Sequence, residues 1–252
     1  MSETADNASL AGVRIGILHH AGSRLLRRGY LIELMADEWA ARGAEVVDIV
    51  GIETAVPVDV LLLHVDLSIV PDEYLHFAKS YSSVINLEAV DIRKTSYLDD
   101  LVGAESDWDG PVIVKSDLNH GGLPERLLSP GKTRLGGRPA GVLRRIRRLL
   151  GLPNEIRAKA DYAVFPDRAS IPARRFHDGS IIQPFRSERS GSDFVLREYL
   201  FFGGIEILNK EIGPDPIVIS GRQVECRAGS PPPEVRAVRD RLNLDYGKID
   251  YG

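Results

Sequence analysis

Cysteine is nearly absent: among 252 residues there is only Cys226. A lone thiol excludes an internal disulfide and a cysteine-rich metal site, and it fits a reducing, cytoplasmic location. Long hydrophobic runs are missing too. No stretch approaches the ~18 apolar residues that a membrane span needs. Residues 1–10 are polar and acidic, without the apolar centre of a signal peptide, and read as a disordered tail. Nor does one sign of charge dominate, since 32 basic residues meet 36 acidic ones for a net −4. That balance argues against a nucleic-acid binder working by bulk electrostatics. Neither nucleic acid nor membrane is an expected partner.

Two nucleotide-binding motifs are also lacking. The turn after the first strand, His19-His20-Ala21-Gly22-Ser23, has no Gly-x-Gly-x-x-Gly spacing for a pyrophosphate. Gly131-Lys132-Thr133 ends like a Walker A loop, yet Arg126 stands where its first glycine is required. The neighbours His19 and His20 would point to opposite faces of a strand, which makes a poor metal pair.

What is present is an ordinary globular composition, 43% hydrophobic and 27% charged, long enough for one large or two modest domains. Strands are expected at 13–18, 45–50, 58–65 and 84–86. A helix is expected over 24–42 with the stripe Leu25, Leu26, Leu31, Leu34, Met35 and Trp39, stopped by Gly43. A second helix should open at Pro71 and run to about Tyr81. The run 58–65 is so continuously apolar that both faces of its sheet must be covered. Repeated strand–helix–strand units predict a doubly wound parallel sheet over residues 11–90.

From about Val90 the pattern loosens. Gly110-Pro111-Val112-Ile113-Val114-Lys115 reads as a short buried strand that delivers a lysine to its end, with Gly121-Gly122 soon after. A lysine beside a tightly folding backbone suits a phosphate. The alternative is a core strand whose terminal lysine reaches solvent. Residues 123–139, rich in Gly, Pro and Arg, read as an irregular or mobile segment, and 141–152 as a basic amphipathic helix. Further strands are expected at 180–188, at 194–202 and at 205–212, the last two forming a hairpin about Gly203-Gly204. A short helix over 233–242 precedes the segment 243–251.

In this order, the strand ending at Lys115, the linker Gln183-Pro184-Phe185 and the segment Asp245-Tyr246-Gly247-Lys248-Ile249-Asp250-Tyr251 resemble the ATP-grasp superfamily, within it an uncharacterised bacterial group. The resemblance covers about residues 91–252, and the preceding α/β unit is similar to the one that commonly precedes that fold. It implies an α/β and α+β chain: a Rossmann-like pre-ATP-grasp domain over 11–90, then an ATP-grasp domain over 91–252. The latter divides into a central subdomain, 91–182, and a partial C-terminal one, 183–252.

The resemblance also implies ATP and Mg²⁺ as cofactors, and site roles residue by residue. Lys115 would contact the α- and β-phosphates. Lys94, with Arg93 as the other option, would reach the phosphates from the domain junction. Gln183, Pro184 and Phe185 would read the adenine edge, Glu188 would hold the ribose, and Gly121 and Gly122 would begin a lid. Arg197 would face the transferred phosphate or substrate carboxylate. Lys248 and Asp250 match a basic-x-Asp motif whose carboxylate binds Mg²⁺.

The implied activity joins a small-molecule carboxylate to an amine or thiol through an acyl phosphate, with a homodimer left open. Read from the residues alone, Lys94 fits a surface position equally well, Arg197 with Glu198 fits an exposed strand pair, and Glu188 fits a solvated loop. The family continues past the position of Asp250 to a Glu-x-Asn or Asp-x-Asn, and none follows Asp250 in this sequence. A truncated and inactive ligase is therefore an expectation, beside a non-catalytic nucleotide-binding or regulatory protein. A transferase built on the N-terminal sheet is a third reading.

Overall fold

The structure is a computed structural model, and it describes residues 8–23, 27, 29–128, 156, 158–176, 178–219 and 221–251. Its first unit runs β1 (Arg14–His19), α1 (Leu31–Ala41), β2 (Glu45–Val50), β3 (Val60–Leu63), α2 (Asp72–Ala78) and β4 (Val84–Ile85). All four strands are parallel, in the order β2-β1-β3-β4.

Strand alternation sends successive side chains to opposite faces. Ile15, Ile17 and Leu62 pack with Ile32 and Ala36 of α1. Leu18, Leu61 and Leu63 pack with Tyr74 and Ala78 of α2 on the other face. Both faces are thus covered, which is why the third strand is continuously apolar. At Gly16 a Cβ would meet Ile49, Leu61 and Val58 carbons at 3.1 Å, so the missing side chain lets the sheet and its cover close together.

Next come α3 (Lys94–Tyr97), β5 (Val112–Ser116), a short 3-10 turn over Asn119–Gly122 and α4 (Leu123–Leu128). Beyond them lie β6 (Ala163–Phe165) and β7 (Ser180–Pro184). β5 lies between β6 and β7 in an antiparallel three-stranded sheet. Val112 and Val114 turn into a core with Val102, Ile156 and Ile171.

The last unit has β8 (Arg189–Ser190), β9 (Asp193–Phe202), β10 (Ile205–Gly213), β11 (Arg222–Ala228), α5 (Pro233–Arg241) and β12 (Tyr246–Tyr251). Its antiparallel sheet has the order β11-β10-β9-β12, with β8 on β9. The expected hairpin turns at Gly203-Gly204 and pairs Ile205 with Phe202. Val235 of α5 covers Tyr199, Phe201 and Leu208 on one face. The molecule is therefore mixed α/β, one parallel sheet followed by two antiparallel ones.

Several local expectations change. The helix drawn over 24–42 begins only at Leu31, because Gly29 takes a left-handed φ of 78° and Tyr30 is extended. Leu34, placed on the apolar stripe, is 69% exposed, and Ile32 and Ala36 are buried instead. Pro71 caps α2 from outside rather than opening it. The start of the segment drawn as irregular from Leu123 is helical, with Pro124 setting φ in the first turn of α4. Leu25 and Leu26, Gly131-Lys132-Thr133 and the helix expected over 141–152 lie outside the described residues. Among the described residues no helix is long and apolar enough to cross a membrane.

Candidate functional site

The alternation that buries Val112 and Val114 turns Lys115 to the opposite face of β5. There its Nζ donates to Oε1 of Gln183 on β7 at 2.9 Å. Burial lowers the Lys115 pKa, with Lys159 acting in the same direction and Asp250 and Asp100 opposing. Lys94 opens α3 and reaches the turn that follows β5, donating to the carbonyl oxygens of Leu118 at 2.7 Å and Asp117 at 3.3 Å. Burial, and then the charge of Lys115, push the Lys94 pKa down to about 8. Two lysines thus stand close enough to repel, beside the loop with Gly121 and Gly122. Both glycines are buried with φ of 67° and 70°, and a Cβ on Gly122 would lie 2.9 Å from Leu118. Arg126 donates to the Gly121 carbonyl at 2.8 Å.

The second half of the site lies on the five-stranded sheet. Antiparallel register sets Asp250 opposite Glu198 and Glu198 opposite Asn209, a row across three adjacent strands. Lys248 donates to Glu198 and lies 3.1 Å from Oδ1 of Asp250. Lys159 approaches Oδ2 of Asp250 at 3.2 Å, and Asn209 donates to Glu198 at 2.6 Å. Desolvation works against the Asp250 charge, yet the Lys248 and Lys159 ammonium groups outweigh it and hold the carboxyl below its ordinary range. Lys159 ties this row to the sheet that carries Lys115. Asp250 and Glu198 carry hard oxygens of the kind Mg²⁺ prefers, but Lys248, Lys159 and Asn209 engage all four, Asn209 Oδ1 accepts from Gln223, and no group of three or more His, Cys, Asp or Glu among the described residues is placed to hold a metal ion.

Other expected residues lie apart. Arg197 neighbours Glu198 in sequence and therefore points to the opposite face. There its Nε and Nη2 hold Glu188 at 2.5 and 2.9 Å, with Lys210 at 3.6 Å. Glu188 and Arg197 thus bind each other, not the row that contains Lys248 and Asp250. Arg93 is held by Asp91 at 2.6 Å, which leaves Lys94 as the basic residue turned to the loop. Pro184 ends β7 on a sheet edge, where a missing N–H is tolerated. The Phe185 N–H is taken by the Pro111 carbonyl at 2.8 Å.

Glu198, Asn209 and Lys159 were not among the expected site residues. The first two were within reach, because a two-residue turn at Gly203-Gly204 pairs positions 198 and 209. Lys159 offered no sequence signal. No protein-family profile matches this chain, and no curated protein matches it at a significant level.

Proposed function

We propose that this chain is an ATP-grasp protein that binds ATP with Mg²⁺ between its two antiparallel sheets, and that its chemistry is that of a carboxylate–amine or carboxylate–thiol ligase. The observation that carries the reading is the pair Lys94 and Lys115. Two ammonium groups whose pKa values are lowered by burial, next to a buried glycine pair, form a spot that a polyphosphate would stabilise. Gln183 orients Lys115 from the neighbouring strand, and Asp250 would take the ion only in place of the lysines that now hold its two oxygens. Mg²⁺ offsets charge on the phosphates when bound.

ATP with Mg²⁺ raises the melting temperature on this reading, and Lys115→Ala removes that rise in differential scanning fluorimetry. A wild-type protein indifferent to ATP, ADP and GTP would overturn it. A second reading, a non-catalytic nucleotide-binding or regulatory protein, draws on the two lysines that already occupy both oxygens of Asp250. It predicts ATP binding with no ADP released in the presence of any carboxylate and amine.

A further inference from the structure

β11 is an edge of the five-stranded sheet: β10 lies on one side, and among the described residues no strand pairs with the other. An open edge presents unpaired N–H and C=O groups, a template for another strand. Which residues present them follows from the ladder with β10. Gly229 donates its N–H to the carbonyl of Glu206, the residue opposite it, at 3.2 Å. Hydrogen-bonded pairs alternate along an antiparallel ladder, so Arg227 and Glu225 also turn their backbone groups to β10. Cys226 and Ala228 turn theirs outward. The register shift against β10 falls at Lys210/Glu211, which leaves Glu225 to Ala228 regular.

We propose that β11 pairs antiparallel with β11 of a second copy of this chain, about a two-fold axis at Cys226. The charges select both the partner and the register. With the axis at Cys226, Glu225 stands opposite Arg227 of the second copy, and Arg227 stands opposite its Glu225. Within one chain these two side chains already pair with each other. The dimer closes the two pairs into a ring of four charges in which neighbours always differ in sign. An axis one residue earlier sets Glu225 against Glu225, and one residue later sets Arg227 against Arg227. Like charges directly opposite are destabilising. Charges on an edge strand ordinarily repel a second copy; here their order makes them attract, and an isologous interface needs such self-complementarity.

The other face of the strand is apolar. Cys226 and Ala228 are exposed there, and Ala228 lies opposite Ile207 of β10, which is exposed as well. Ile205, two residues before it on the same face, is 66% exposed. Pairing at Cys226 brings two such strips together in one continuous sheet. The contact is independent of the nucleotide site proposed above.

The test is sedimentation velocity of the full chain over a concentration series, beside cross-linking with bismaleimidoethane. Cys226 is the only thiol, so a cross-linked dimer reports that position alone. The expected result is a concentration-dependent dimer that the reagent captures through Cys226. Glu225→Arg and Arg227→Glu should each weaken it about tenfold or more, because each sets like charges opposite one another twice. Mixed together, the two variants should associate again, since every facing pair then regains opposite signs. A monomer at every concentration up to about 0.5 mM would overturn the proposal, whichever other chain used the edge. So would a dimer that the reagent does not join, folded variants that dimerise unchanged, or variants that stay apart on mixing. The wild-type cross-link decides the matter where a variant fails to fold.

Discussion

Lys94 carries the most informative titration in the chain. Its folded pKa, about 8, lies below the ordinary 10.5 because burial and Lys115 disfavour the charge. Between those values the unfolded chain holds more protons than the folded one, so stability rises with pH across that window. A polyphosphate placed beside the ammonium reverses the effect and restores the proton. Binding of ATP near pH 8 should therefore take up a fraction of a proton, and affinity should fall as pH rises beyond 8. Titration calorimetry in two buffers of different ionisation enthalpy measures this, and Lys94→Met should lose the uptake. Lys115 was legible from the apolar run Val112-Ile113-Val114 that it ends, whereas Asp250 was named only through the resemblance to a basic-x-Asp motif. Glu198 was not legible, because nothing in the string Leu196-Arg197-Glu198-Tyr199 says which of the two charges faces the site. Only the register with Lys248 and Asp250 decides it.

At the scale of elements, strands with apolar alternation or continuous apolar runs were readable, and β2 has the bounds its sequence predicts, Glu45–Val50. β11 was missed. Its Arg222–Ala228 is charged, exposed along most of its length and on a sheet edge, so no apolar period exists to be seen. The start of α1 was missed for another reason: periodicity continues through Gly29, but a left-handed glycine ends the helix there. Gly16 offers an element-level test. A methyl group at this position meets three side-chain carbons at 3.1 Å, and overpacking of that kind costs about 1–3 kcal/mol. Gly16→Ala should lower the urea midpoint by a corresponding amount with an unchanged slope.

Across the whole molecule, the parallel sheet and the five-stranded sheet share a core. Tyr246 of β12 is buried among Ile15, Ile17 and Leu62, and Phe202 packs on Trp39 with ring centroids 5.7 Å apart. Asn86 clasps the same strand end: its amide oxygen accepts from Asp245 and Tyr246 at 2.7 and 3.1 Å, and its Nδ2 donates to the Tyr246 carbonyl at 3.1 Å. Sheets joined in this way should unfold together. Trp39 reports on the first sheet and Trp108, which packs beside the Val112 core, on the second. Far-ultraviolet circular dichroism and tryptophan fluorescence should thus give coincident urea transitions, whereas separated midpoints would mean independent units. None of this joining was legible in the sequence. It depends on which residues meet across sequence separations of 159 or more.

The hydrogen bond from Tyr246 to His64 spans 182 residues, and that separation sets an order of events. A nascent chain can pair β1 to β4 early, yet the tyrosine that completes their core leaves the ribosome roughly 10–40 s later at ordinary elongation speeds. Through that interval His64 lacks the Tyr246 hydroxyl, and the core that Tyr246 fills among Ile15, Ile17 and Leu62 is incomplete. Closure of so long a loop is slow as well as late, which makes the waiting sheet the point at which chaperones would engage this protein.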